Sequence, residues 1–88
     1  MPNNEIIDRI DAIADHYGYE HQRMKLIEEL GELIQALAKG EEQAIMWECA
    51  DVTIMIQQVL YLLRLNTHIA IEAKVSRQEQ RIKDEQNG

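Results

Sequence analysis

The sequence contains no phenylalanine, one cysteine, one proline and four glycines in 88 residues, and its only aromatic side chains are three tyrosines and one tryptophan. A lone Cys49 excludes an intrachain disulfide. No basic stretch followed by an apolar one opens the chain, so a reducing, cytoplasmic setting is expected. Apolar runs such as Val59 to Leu63 fall far short of the ~18 residues that a membrane span needs. Positive charge is also scarce: nine Lys and Arg face 16 Asp and Glu, a net charge of −7. That balance argues against a protein whose main task is coating nucleic acid, which needs clustered cations against phosphates. Phosphates can still reach an acidic chain through metal ions.

The chain is one domain by length. A domain this small buries only about 60% of the surface its unfolded form exposes, and without phenylalanine it has few large core blocks. Association with further copies is therefore expected.

Pro2 and Gly88 lie at the ends, which leaves Gly18, Gly31 and Gly40 as the only internal breaks. Such sparse punctuation predicts helices throughout. The first runs from Glu5 to about Tyr17, with Asn3 and Asn4 as candidate N-caps and Ile6, Ile7, Ile10, Ala14 and Tyr17 at helical spacing. A second, from about Glu20 to Lys39, repeats Leu26, Ile27, Leu30, Leu33, Ile34 and Leu37 and stops at Gly40. The third and longest spans Glu41 to about Leu65, where Asn66 and Thr67 supply a break and a candidate N-cap. The last, from His68 to about Glu85, carries Ile71, Val75 and Ile82 on one stripe, and its polar end at 84–88 is expected to fray. The fold class expected is all-α, with four helices forming an oligomeric bundle.

Spacing side chains about 100° apart around each axis puts Glu48 in the middle of an apolar face of the third helix, among Val52, Met55, Val59 and Leu62, with Asp51 joining that stripe. Aliphatic residues around the rest of this helix suit packing on several sides. On the second helix, Glu29 borders the apolar arc beside Leu33, Glu32 lies at the seam and Glu28 faces further out, with no cation apparent among them. Carboxylates in apolar stripes cost several kcal/mol unless paired, protonated or bound to metal. A lone Glu-x-x-Glu is most simply a solvated helix face. Two such pairs, Glu29-x-x-Glu32 and Glu48-x-x-Asp51, can meet face to face across a short turn. Four converging hard oxygen ligands suit Mg²⁺ or Mn²⁺. A di-iron bundle would want Glu-x-x-His on two helices, and none of His16, His21 and His68 has a glutamate three residues before it.

The fourth helix supplies the opposite charge: Lys74, Arg77 and Arg81 form a stripe beside its apolar one. Basic groups near a metal centre suit a polyphosphate. Local acids such as Glu72 and Glu79 would equally explain them as a salt-bridged surface. Trp47, next to Glu48, is placed to stack on a base or to pack in a core or subunit contact. His21 and Gln22 offer hydrogen bonds to a nucleobase, though holding a turn is the simpler role. No triad, P-loop or zinc ribbon motif is present.

The run Lys25-Leu26-Ile27-Glu28-Glu29-Leu30-Gly31-Glu32-Leu33, followed by Glu48-Cys49-Ala50-Asp51-Val52, resembles the MazG-like nucleoside triphosphate pyrophosphohydrolases. Their hallmark is Glu-Glu-x-x-Glu and then Glu-x-x-Asp on successive helices. The likeness extends over about 20–81 and includes Lys74, Gln78 and Arg81, where that family often carries Lys-x-x-x-Asn-x-x-Arg. Gln78 replaces its asparagine. The resemblance implies an all-α fold that forms a dimer or a tetramer of paired dimers, with Glu29, Glu32, Glu48 and Asp51 as metal ligands. It also implies Mg²⁺-assisted attack of water at the α-phosphorus, with Glu28 or Glu29 orienting or deprotonating that water. Nucleoside monophosphate and pyrophosphate would be released.

The leading expectation is therefore a pyrophosphohydrolase of canonical or modified (d)NTPs, with Lys74, Gln78, Arg81 and Arg77 toward the phosphates and Gln22, His21 and Trp47 toward the nucleoside. A phosphoribosyl-ATP pyrophosphatase shares the helical carboxylate design, but nothing in these residues marks a phosphoribosyl group. From another class, a non-catalytic interaction or regulatory bundle would use the acids only as a structural metal site.

Overall fold

A computed structural model describes residues 4–88. Asn3, one of the two expected N-caps, lies outside the described residues. Four helices follow in order: α1 (Asn4–Tyr17), α2 (Tyr19–Lys39), α3 (Glu42–Leu63) and α4 (His68–Asn87). Each boundary falls within two residues of its sequence-based position. The φ > 0 corners explain why. Gly18 (φ 84) turns α1 into α2, and Gly40 (φ 74) ends α2 with its N–H on the Ala36 carbonyl. Glycine adopts that conformation at no steric cost. Arg64 takes the same left-handed conformation (φ 58) to end α3, donating its N–H to Leu60 and Tyr61 carbonyls. Asn66, rather than Thr67, caps α4: its Oδ1 accepts the His68 N–H at 2.8 Å, while Thr67 makes no side-chain cap bond. Helical backbone continues through Asn87, into the polar end at 84–88 where fraying is expected.

The helices α2 and α3 form an antiparallel hairpin, and α1 packs chiefly on α3 and more lightly on α2. Among the described residues, Ala14, Ala36, Val52 and Met55 are the buried apolar side chains. With so few, polar ties share the work. Gln58, 1% exposed, accepts the Gln22 amide at 2.7 Å and donates to the Ile10 carbonyl at 3.0 Å, joining three helices at one point. Two further side chains of α3 hold α1: Gln57 donates to Asp11 at 3.2 Å and Tyr61 donates to Asp15 at 2.7 Å.

The buried face of α2 is not the centre of its apolar arc. It carries Gln22, Glu29 and Ala36, one residue every seven, and is rotated by roughly 90° from the arc that the aliphatic spacing describes. Leu26 and Leu33 turn toward α3, whereas Ile27, Leu30, Ile34 and Leu37 remain exposed. On α3, Met46, Ile54 and Ile56 are exposed as well, so within one chain this helix packs on fewer sides than its composition suggests. The fourth helix packs against none of the other three. All of its side chains are exposed, including Ile71, Val75 and Ile82.

Candidate metal centre

The rotation of α2 carries the acids inward. Glu29, 8% exposed, faces α3 directly. Its carboxylate and those of Glu48 and Asp51 offer oxygens that all lie within 4.8 Å of one another, and Glu28, Glu29 and Glu32 form a second set by the same measure. Glu29 belongs to both. Two sets joined at Glu29 thus line one edge of the hairpin: Glu29 faces Glu48 and Asp51 across the helices, Glu32 is grouped with Glu28 and Glu29 alone, and Glu28 joins despite its outward position on the helix. Glu48 is half-buried, while Glu28, Glu32 and Asp51 are exposed at the rim.

Two oxygens distinguish this edge from a solvated acidic face. Glu29 Oε2 and Glu48 Oε2 are buried and have no hydrogen-bond partner. An unpaired buried carboxylate oxygen is among the costliest groups a fold can hold. The consequence is visible in Glu29, whose pKa is raised, first by burial and then by the nearby Glu32 and Asp51. Divalent cations with a preference for oxygen would satisfy both orphaned atoms at once and relieve the repulsion. The donor set therefore fits Mg²⁺ or Mn²⁺.

One charged partner escaped the sequence reading, which found no cation beside these acids. Lys25 Nζ lies 3.4 Å from Glu28 Oε1 and 3.5 Å from Glu29 Oε1. Its spacing of three and four residues from those acids is the signal that would have revealed it. Lys25 is exposed enough for water to screen the pair, and it lowers the Glu29 pKa less than burial raises it.

The other candidate residues are distributed unevenly. Trp47 is 64% exposed beside Glu48, which removes the core of its own chain as its explanation and leaves a base or a subunit contact. Gln22 is buried, with its amide on Gln58 and its Oε1 2.6 Å from His21 Nδ1. Both of its polar ends are engaged, so it holds the α1–α2 corner. His21 is exposed, and its ring stacks on Tyr17 with centroids 4.5 Å apart. Lys74, Arg77, Gln78 and Arg81 stand exposed on α4, which touches neither α2 nor α3 of its own chain. A single chain thus assembles the carboxylates but does not bring the cationic stripe to them. Cys49 is exposed and carries a free thiol. No helix among the described residues is long and apolar enough to cross a membrane.

Comparison with known proteins gives one family: residues 6–81 match the family described as phosphoribosyl-ATP pyrophosphohydrolase. No curated protein and no solved structure matches.

Proposed function

The chain belongs to the phosphoribosyl-ATP pyrophosphohydrolase family, within the MazG-like all-α superfamily, and from that membership we propose a Mg²⁺-dependent hydrolase that splits (d)NTPs between the α and β phosphates. The products are nucleoside monophosphate and pyrophosphate. One observation carries the reading: Glu29 and Glu48, on facing helices, each bury an unpartnered carboxylate oxygen within a cluster of acids. A bundle that bound no metal would have no reason to keep that cost.

Glu29, Glu32, Glu48 and Asp51 would hold the metal, with Mn²⁺ as an alternative. Bound there, a divalent ion supplies neutralisation of the phosphoryl oxygens and a lowered pKa for water. The protein's own part is to fix the carboxylates on two rigid helices and to accept a proton. Glu28, exposed at the rim and salt-bridged to Lys25, and Glu29, held above the ordinary carboxylate range by burial, are the two acceptors in reach. Lys74, Gln78, Arg81 and Arg77 are assigned to the phosphates, and Trp47 and His21 to the nucleoside. That assignment requires a homodimer or tetramer, because α4 stands apart from the acids in its own chain. The reading includes a cytoplasmic setting.

A second substrate, phosphoribosyl-ATP, is favoured by the description of the matching family. It presents the same triphosphate to the same acids, so the two differ only at the nucleoside end. Phosphorus NMR of the protein with Mg²⁺, phosphoribosyl-ATP and a panel of canonical and modified triphosphates separates them. Pyrophosphate from wild type and none from Glu48→Gln is expected. Orthophosphate plus diphosphate would refute α–β cleavage, and no product from any of these nucleotides would favour the non-catalytic bundle.

A further inference from the structure

The two carboxylate sets that share Glu29 are not alike. The inner set, Glu29, Glu48 and Asp51, holds the two buried, unpartnered oxygens, Glu29 Oε2 and Glu48 Oε2. Among the described residues, no cation pairs with Glu48 or Asp51. The outer set, Glu28, Glu29 and Glu32, already has a positive charge on two of its members: Lys25 Nζ lies 3.4 Å from Glu28 Oε1 and 3.5 Å from Glu29 Oε1. Glu29 therefore divides its oxygens, with Oε1 on the ammonium and Oε2 buried without a partner.

Local sequence produces this placement. Acids three and four residues after a lysine lie within reach of its long stem on a helix. Arg23, the neighbouring cation, is drawn away to Glu20 at 3.0 Å. An isolated exposed pair would carry little weight, because water screens it. Two features set Lys25 apart from such a pair. The Glu29 side chain is only 11% exposed, and the three acids of the outer set bring like charges within 4.8 Å of one another. One ammonium bridging two of them relieves that repulsion, and a divalent ion approaching the same oxygens meets a like charge.

We propose that Lys25 is the built-in cation of the outer set: its ammonium takes the place of a second divalent ion, so that without nucleotide the chain binds one metal ion, at the inner set. An ammonium neutralises charge but accepts no ligand. The two sets thus divide the work, the outer one holding the acids together and the inner one holding the ion. This rests on the metal-centre reading and not on the reaction.

The test is titration of the full, metal-free chain with Mn²⁺ in the absence of nucleotide, with free Mn²⁺ read by electron paramagnetic resonance. Wild type should take up one ion per chain, and a second should bind at least about tenfold more weakly. Lys25→Met should take up two. Lys25→Arg, which keeps the charge, should return to one, and so should Lys25→Met combined with Glu28→Gln, whose outer set is one ligand short. The Lys25 side chain is 43% exposed, so each variant should keep its helical content by circular dichroism. Thermal melts give a second measure: without metal, Lys25→Met should melt below wild type, and saturating Mn²⁺ should close the gap. Equal melting points without metal would overturn the proposal. One ion in both wild type and Lys25→Met, or two in wild type, would overturn it while leaving the metal centre intact. Weaker binding of a single ion to Lys25→Met would make the lysine a brace for Glu29 and overturn it as well. No uptake by wild type would refute the metal centre itself, and the proposal with it.

Discussion

Gln22 on α2 donates its side-chain amide to Oε1 of Gln58 on α3 at 2.7 Å, and the two together form the most deeply buried polar contact between those helices. The bond lies two turns from Glu29 along α2 and fixes the rotation that turns Glu29 inward. Polar packing thus sets the geometry of the acids.

Gln58→Ala should destabilise the chain by about 1–3 kcal/mol, since it leaves the buried Gln22 amide without a partner and removes the side-chain donor that ties the Ile10 carbonyl of α1 to α3. Urea denaturation of Gln22→Ala, Gln58→Ala and the double variant measures it. The double variant should cost less than the sum of the singles, because the two side chains are in direct contact.

Glu48→Gln should abolish turnover yet leave the metal-free fold at least as stable, because one buried charge with an unpartnered oxygen is removed. For wild type, Mg²⁺ or Mn²⁺ at 100 times its dissociation constant should add about 2.7 kcal/mol. Thermal melts with and without metal check both statements. A metal-dependent rise in Tm that survives in Glu48→Gln would remove this residue from the ligand set.

The raised pKa of Glu29 has a direction in pH. A carboxyl whose folded pKa lies above its unfolded value binds its proton more tightly in the folded chain. Its stabilising contribution is therefore complete below the unfolded value near 4.5 and is lost as pH rises through the folded one. Metal-free wild type should lose stability over that interval, whereas Glu29→Gln should show a weaker decline. Denaturation midpoints between mildly acid and neutral pH, in the presence of a chelator, decide the matter.

Arg64 holds a left-handed backbone conformation that glycine adopts without penalty. Arg64→Gly should raise stability by up to about 1 kcal/mol, the relief being offset in part by the greater freedom glycine has when unfolded. A shift of the urea midpoint with no change in slope would report it.

The helices and the acidic pairs were legible because both are local. Gly18, Gly40 and Asn66 punctuate the chain where the backbone must turn, and a spacing of three residues places Glu29 with Glu32 and Glu48 with Asp51. The rotation of α2 was not legible. Its aliphatic residues occupy a broad arc, and periodicity alone cannot say which part meets α3 and which part is left for a second copy. The three-way tie of Gln22, Gln58 and the Ile10 carbonyl decides it, and glutamine carries no hydrophobic signal. Lys25 sits three and four residues before Glu28 and Glu29, and its long stem, not its angle on the helix, carries the ammonium to them. The distance of α4 from the hairpin is a property of tertiary packing that its heptad-like pattern does not record.

A helix that its own chain leaves uncovered has an unusual relation to dilution. Twenty residues of mixed composition, standing alone in water, sit near the balance between helix and coil. Amide exchange along α4 should consequently quicken as the protein is diluted, while α2 and α3 remain protected. The last quarter of the chain would then fold by a second-order event, and the number of molecules present would set how many of them are complete.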